Sequence, residues 1–350
     1  MMEINRELFE EQRRPRFGKG NPERMRLAFW EWMIRGDSRT STDEGSGLAR
    51  LGIVSRDGKL KSGHGPYRVR DLFKVPPNRE DGPIWNFDRM GATCTELPDG
   101  RLVCVGGEHE DYYDPDFCIY NDVVVFGPND QIEIYGYSKD AFPPTDFHTA
   151  TLTGNRIIIV GCLGYRETRR SGHTPVYTLD LSGYNISEIK TSGEMPGWIF
   201  KHDADFNPEG VITIRGGEFI HEQSGEQRHR RNVEDYALDL HSWVWRRLTN
   251  RNWRQFSICQ EDKALFVLER HPEPEALLPR SVEHTVVQRE ESTATRIVVE
   301  GVSVSLRVGV SCIEVVVEGE LPNDQSMRLA EEVRANAESA INRRCILEEI

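Results

Sequence analysis

The chain has 350 residues, long enough to bury a full hydrophobic core, and a formal net charge of −13. That charge argues against nucleic-acid binding by the protein as a whole and leaves only a local basic patch open. No stretch approaches the roughly 18 apolar residues that a membrane span needs, and the charged N-terminus lacks the basic-then-apolar order of a secretion signal. The expectation is a soluble, cytoplasmic protein.

From the N-terminus, Asn21 and Pro22 give a cap and first-turn signal and Gly36 a stop, which predicts a helix over 22–36 within an N-terminal segment 1–47. Met25, Phe29 and Trp32 fall on one face of that helix, and Leu27, Trp30 and Ile34 on another. So much aromatic surface needs burial, either against the body of the protein or as a partner-binding helix. The segment 48–85 carries a turn at Asp57-Gly58 and is read as one degraded strand unit.

The central feature is a hairpin repeated three times: Gly91 to Gly107, Phe147 to Cys162 and Lys201 to Gly217. The glycines Gly106, Gly161 and Gly216 close the copies at intervals of 55 residues. Turns at Asp99-Gly100 and Gly154-Asn155 suit tight hairpins, because these residues reach positive φ cheaply. The second strands, RLVCV, RIIIV and VITIR, read as buried on both faces. A third strand follows each loop (NDVVVFGP, TPVYTLDL, VEDYALDL), and a fourth contains Ile132 and Ile134, Ile186 and Ile189, or Trp243 and Trp245. Strand units at this period mark a toroidal array. A weaker copy begins at Gln255, with Leu268 and Glu269 in place of the glycines, and 281–318 alternates as further strands. From Asp324 to about Arg343, Ala330, Val333, Ala337 and Ile341 recur at helical spacing. The stripe is thin, so this helix is expected to dock weakly or to pair with another.

Seven cysteines (94, 104, 118, 162, 259, 312 and 345) are odd in number, scattered and without a CxxC pair. A zinc cage or disulfide framework would use closer, paired spacing. In the repeat, Cys94 takes the place of Ala150 and Ala204, and Cys104 that of Ile159 and Ile214. Both are therefore expected to be free thiols filling strands, as in a reducing compartment.

The repeat resembles the kelch family. The resemblance rests on Gly91, Thr93, Thr95, the Pro98-Asp99-Gly100 turn, Gly106-Gly107 and Asn121-Asp122; on His148, Thr149, Thr151 and Tyr177; and on Gly216-Gly217 with Tyr236 and Trp243. It covers 84–250 well and 251–320 loosely. Cys162 breaks the second glycine doublet. The resemblance implies an all-β, kelch-like β-propeller of four-stranded blades over 48–320, irregular, with about five blades. Helical ends complete the chain, the last over 321–350.

In kelch-like propellers the loops between second and third strands project from one face. Here the first, Glu108 to Asp122, holds six acidic groups and no Lys or Arg. The second offers Arg166, Arg169 and Arg170, and the third Arg228, Arg230 and Arg231 with His221 and His229. Guanidinium groups so clustered suit an anion or an acidic peptide. The competing reading is that neighbouring loops of opposite charge neutralise one another. His109, Asp111, Asp114 and Asp116 are possible ligands for a hard cation, but lack the spacing of a dedicated loop. His148 and His202 head equivalent strands, with Asp146 and Asp203 beside them; structural hydrogen bonding is expected there rather than a metal. His64 lies among glycines, and no nucleophile or phosphate-loop signature is present. The expectation is a noncatalytic interaction scaffold that binds a protein or acidic small-molecule ligand, without cofactor, metal, nucleic acid or membrane. The alternative is an enzyme of small anionic or sugar-like substrates, metal-dependent or not, on the same face. The sequence leaves the oligomeric state open.

Overall fold

The computed structural model describes residues 4–35, 66–75, 82–109, 115–128, 131–223, 226–251, 253–262, 264, 266, 272–290, 294–309 and 311–350. Two compact units emerge, Met1–Thr249 and Asn250–Ile350.

The first unit opens with α1 (Arg6–Gln12), whose Asn5 cap accepts the Leu8 N–H at 2.9 Å. A short strand β1 (Glu23–Arg24) precedes α2 (Ala28–Arg35), and α3 spans Pro66–Leu72. The helix expected over 22–36 thus begins only at Ala28. Asn21 does not cap it, because its side-chain amide bonds both the N–H and the C=O of Ile186. Gly36, the expected stop, lies outside the described residues. Trp30 is fully buried, stacks on Trp85 at 4.6 Å and donates Nε1–H to Gln12 O, so the helix docks within the chain. In the segment read as a degraded strand unit, 66–72 is helical; Asp57-Gly58 and His64 lie outside the described residues.

The three hairpins form the antiparallel parts of three sheets, the third of which also holds one parallel pair. In the first, β2 (Thr93–Glu96), β3 (Leu102–Val105), β6 (Val123–Phe126) and β7 (Ile132–Gly136) lie side by side, and β1 covers the outer edge of β7. A small ladder, β4 (Glu108–His109) with β5 (Cys118–Ile119), sits in its long loop. The second sheet is β8 (Thr149–Thr153), β9 (Arg156–Val160), β10 (Val176–Asp180) and β11 (Ile186–Glu188). Around the third, the chain adds β12 (Ser192–Gly193) and β13 (Trp198–Phe200), then β14 (Asp203–Asn207), β15 (Val211–Arg215), β16 (Glu218–Gln223), β17 (Glu226–Arg231), β18 (Tyr236–Asp239) and β19 (Val244–Arg247). The third sheet runs β12-β19-β18-β15-β14, while β13, β16 and β17 make a separate sheet.

Strand parity stacks these sheets, since successive side chains point to opposite faces. Leu102 and Cys104 of β3 join the core of α1 and α2, whereas Val103 and Val105 pack with Ile157 and Ile159 of β9. Ile158 and Val160 of β9 turn the other way and pack with Ile212 and Ile214 of β15. The next face breaks the pattern: the other parity of β15 is Val211, Thr213 and Arg215, and Arg215 pairs with Asp205 and Asp235. The helices cap one end of the stack, and a polar face ends the other. Among the described residues no sheet closes on itself.

The second unit contains β20 (Arg254–Gln260), β21 (Thr285–Glu290), β22 (Ala294–Val299), β23 (Val302–Val308), β24 (Cys312–Glu318), α4 (Asn323–Ile341) and β25 (Cys345–Glu349). Its six strands form one sheet in the order β21-β22-β23-β24-β20-β25. The weak repeat copy at Gln255 is therefore a strand inside this sheet, paired on either side with β24 and β25. Leu268 and Glu269 lie outside the described residues. Leu329, Ala330, Val333 and Ala337 of α4 are fully buried against Phe256, Ile258 and Val315. The thin stripe thus docks firmly, because small side chains bring the helix close to the sheet.

The cysteine reading is corrected at two places. Cys94–Cys104 and Cys259–Cys312 are disulfides, and Cys118, Cys162 and Cys345 are free and buried. Each pair faces across adjacent strands, in the registers Cys94↔Cys104 and Cys259↔Cys312. Sequence spacings of 10 and 53 hide that proximity. The argument for a reducing compartment from unpaired thiols falls with it. No helix among the described residues is long and apolar enough to cross a membrane.

Candidate ligand-binding site

The third repeat's loop is a hairpin of its own. β16 and β17 pair in the register Glu218↔Arg231, Phe219↔Arg230, Ile220↔His229 and His221↔Arg228. Alternation assigns Phe219, His221, Arg228 and Arg230 to one face, and Glu218, Ile220, His229 and Arg231 to the other. Ile220 anchors the second face against Cys162, Trp198 and Phe200. His229 meets the Phe200 ring edge-on at 5.1 Å, with Nδ1 3.5 Å from Glu218. On the first face the Arg230 guanidinium lies over Phe219 at 5.9 Å. Burial pushes Arg230 below its usual value, yet a guanidinium stays charged at neutral pH.

In the second repeat's loop, Arg166 lies exposed on a 3-10 turn, Arg166–Thr168. Arg169 donates to the Leu163 and Gly164 carbonyls at 3.0 and 2.9 Å, so it shapes the loop rather than facing a ligand. The exposed Arg170 reaches Glu188 at 3.3 Å. Gln227 Nε2 of β17 donates to Arg166 O at 3.3 Å. That bond places the two basic loops side by side, as expected of adjacent repeats. Beside the second repeat's loop is a small cavity of about 30 Å³ bordered by Thr145, Cys162, Thr168, Arg170, Tyr177 and Trp198.

The acidic loop makes other pairings. Asp116 takes both of its contacts, 2.5 and 2.7 Å, from Arg70. Asp122 is buried with Arg89, which lies over the Tyr120 ring at 3.5 Å, and also accepts Trp85 Nε1–H at 2.9 Å. These two acids are neutralised by Arg70 and Arg89. Of the possible cation ligands, His109 Nδ1 meets Asn86 Nδ2 at 3.1 Å, and Asp111 and Asp114 lie outside the described residues. No group of three or more His, Cys, Asp or Glu among the described residues is placed to hold a metal ion.

His148 and His202 are both buried, with Nε2 at 2.7 Å from Thr93 Oγ1 and at 3.0 Å from Thr149 Oγ1. Burial holds the two imidazoles down to about 3 and about 4. Asp146 was singled out only as a neighbour of His148. It is wholly buried and accepts Gly164 N–H at 2.6 Å through Oδ1. Burial raises its carboxyl above the usual carboxylate range. A single aspartate between Thr145 and Phe147 offers no periodic signal of such burial.

No family model and no curated protein matches the chain. Among solved structures it is similar to that of YjhT, with a TM-score of 0.34 and 15% sequence identity over 56% of this chain. The match spans 56% of the YjhT chain, a little over half its length.

Proposed function

We propose that the chain is a noncatalytic interaction scaffold that binds an acidic segment of another protein. On this reading the stacked sheets are kelch-like propeller blades in an open arc, and the basic loops of the second and third are the binding face. The Gln227–Arg166 hydrogen bond carries the proposal, since it unites two basic loops from different repeats. The net charge of −13 supports it further: a basic cluster on an acidic chain runs against the average and selects anionic partners. Asp116 and Asp122 do not compete for these arginines, being held by Arg70 and Arg89.

The test is fluorescence anisotropy with a labelled hexaglutamate peptide and a hexaglutamine control. The expected result is saturable binding of hexaglutamate alone, weakening steeply as salt rises. Equal behaviour of the two peptides, or binding indifferent to salt, would contradict the reading.

A further inference from the structure

Strand β17 is the outer strand of its sheet, whose order is β13-β16-β17, and it pairs with no other strand among the described residues. The antiparallel ladder fixes which of its peptide groups are engaged. Asn232 N–H donates to Gly217 O, so 217 and 232 are a hydrogen-bonded pair. Such pairs alternate, so Arg230 and Arg228 face β16 with their peptide groups. Those of Gln227 and His229 point away from it.

An edge of this kind is a template for another strand, and proteins commonly protect it with charge. Past Glu226 at its start, the charges of β17 are of one sign, those of Arg228, Arg230 and Arg231. A second copy of the same strand would set arginines against arginines, which disfavours self-pairing. An acidic strand meets the opposite situation. Its side chains alternate between the two faces, and guanidinium groups stand on both: Arg228 and Arg230 on one, Arg231 on the other.

We infer that an acidic segment of the partner binds in extended form, as a further antiparallel or parallel strand on the open edge of β17. This rests on the proposed binding of acidic ligands and adds how the ligand is held. Backbone hydrogen bonds would supply the register, and carboxylate–guanidinium pairs on both faces the selectivity. The charge alternation explains why a β-strand, rather than a compact anion, is the fitting ligand: one small anion reaches the cations of one face only.

The experiment compares hexaglutamate with the same peptide N-methylated at every backbone amide, which keeps all carboxylates and removes the donors. Strand addition predicts at least a tenfold loss of affinity on methylation. It also predicts that unmethylated peptide slows hydrogen exchange at the His229 amide. Equal affinity for both peptides would overturn the inference while leaving acidic-ligand binding intact. Failure of the unmethylated peptide to bind at all would overturn both. A His229→Pro variant removes the outward N–H, a substitution that edge strands tolerate; it should match the effect of methylation, and undiminished binding by a folded variant would count against strand addition.

Discussion

His202 Nε2 lies 3.0 Å from Thr149 Oγ1, and one repeat earlier His148 Nε2 lies 2.7 Å from Thr93 Oγ1. The backbone repeats the same step, with Phe147 N–H donating to Gly91 O and Lys201 N–H to Phe147 O. The second and third repeats are thus each tied to the one before by an imidazole–hydroxyl contact and a backbone hydrogen bond at the head of the innermost strand. The first repeat has Ala92 at the histidine position.

These histidines make stability depend on pH. Their folded-state pKa values, about 3 and about 4, lie below the ordinary value of 6.5. Between those limits the unfolded chain binds more protons than the folded one, so stability rises with pH and is lost as pH falls below 6.5. Each histidine adds up to about 1.4 kcal/mol per pH unit to that slope. Replacing His148 by Gln, which can still bond Thr93, should flatten the slope of unfolding free energy between pH 4 and 6. An unchanged slope would show that His148 titrates normally.

The closing glycines should differ in their tolerance of alanine. All three have positive φ: +56° at Gly106, +71° at Gly161 and +60° at Gly216. A Cβ at Gly106 or Gly161 would lie 2.3 Å from a carbonyl oxygen of the following repeat, Thr145 O or Ile199 O. At Gly216 no described atom is within 4 Å. Gly216→Ala should cost only the backbone strain, about 1–2 kcal/mol, whereas Gly106→Ala and Gly161→Ala should cost clearly more. Thermal melts rank them, and equal losses would mean that the chain continues stacking past the third repeat.

Thiol counting tests the cysteine pairing. Unfolded without reductant, the protein should expose three reactive thiols, those of Cys118, Cys162 and Cys345; after reduction it should expose seven. Reduction should also lower the melting temperature, more through Cys259–Cys312 than through Cys94–Cys104. The former closes 53 residues and the latter 10, and longer loops lose more entropy on closure. Seven thiols without reductant would refute both bonds.

Much of the first unit was legible because its strands carry strong local signals. Apolar runs ending in glycine located β3, β9 and β15, and the alignment of Cys94 with Ala150 and Ala204 matches the observed registers. What was missed depends on long-range contacts. Cys94 and Cys104 meet only after the hairpin has formed, and Asn21 binds Ile186 across 165 positions. The alternating strands of 254–318 look like a decayed repeat, since alternation alone does not say which sheet a strand joins. In the site, residue type picked out the arginines but not their tasks. Arg169 turns inward to carbonyls of its own loop, a difference from Arg166 that no spacing records.

The account turns on Arg166 and Arg230 serving one ligand from two repeats, so the most direct measurement is the affinity of an Arg166→Ala/Arg230→Ala variant for hexaglutamate. Charged hydrogen bonds contribute roughly 1.5–3 kcal/mol each, and Arg166 is exposed while Arg230 is half-buried. The predicted result is a loss of affinity of tenfold or more with a nearly unchanged melting temperature. Unaltered binding by the double variant would contradict the account.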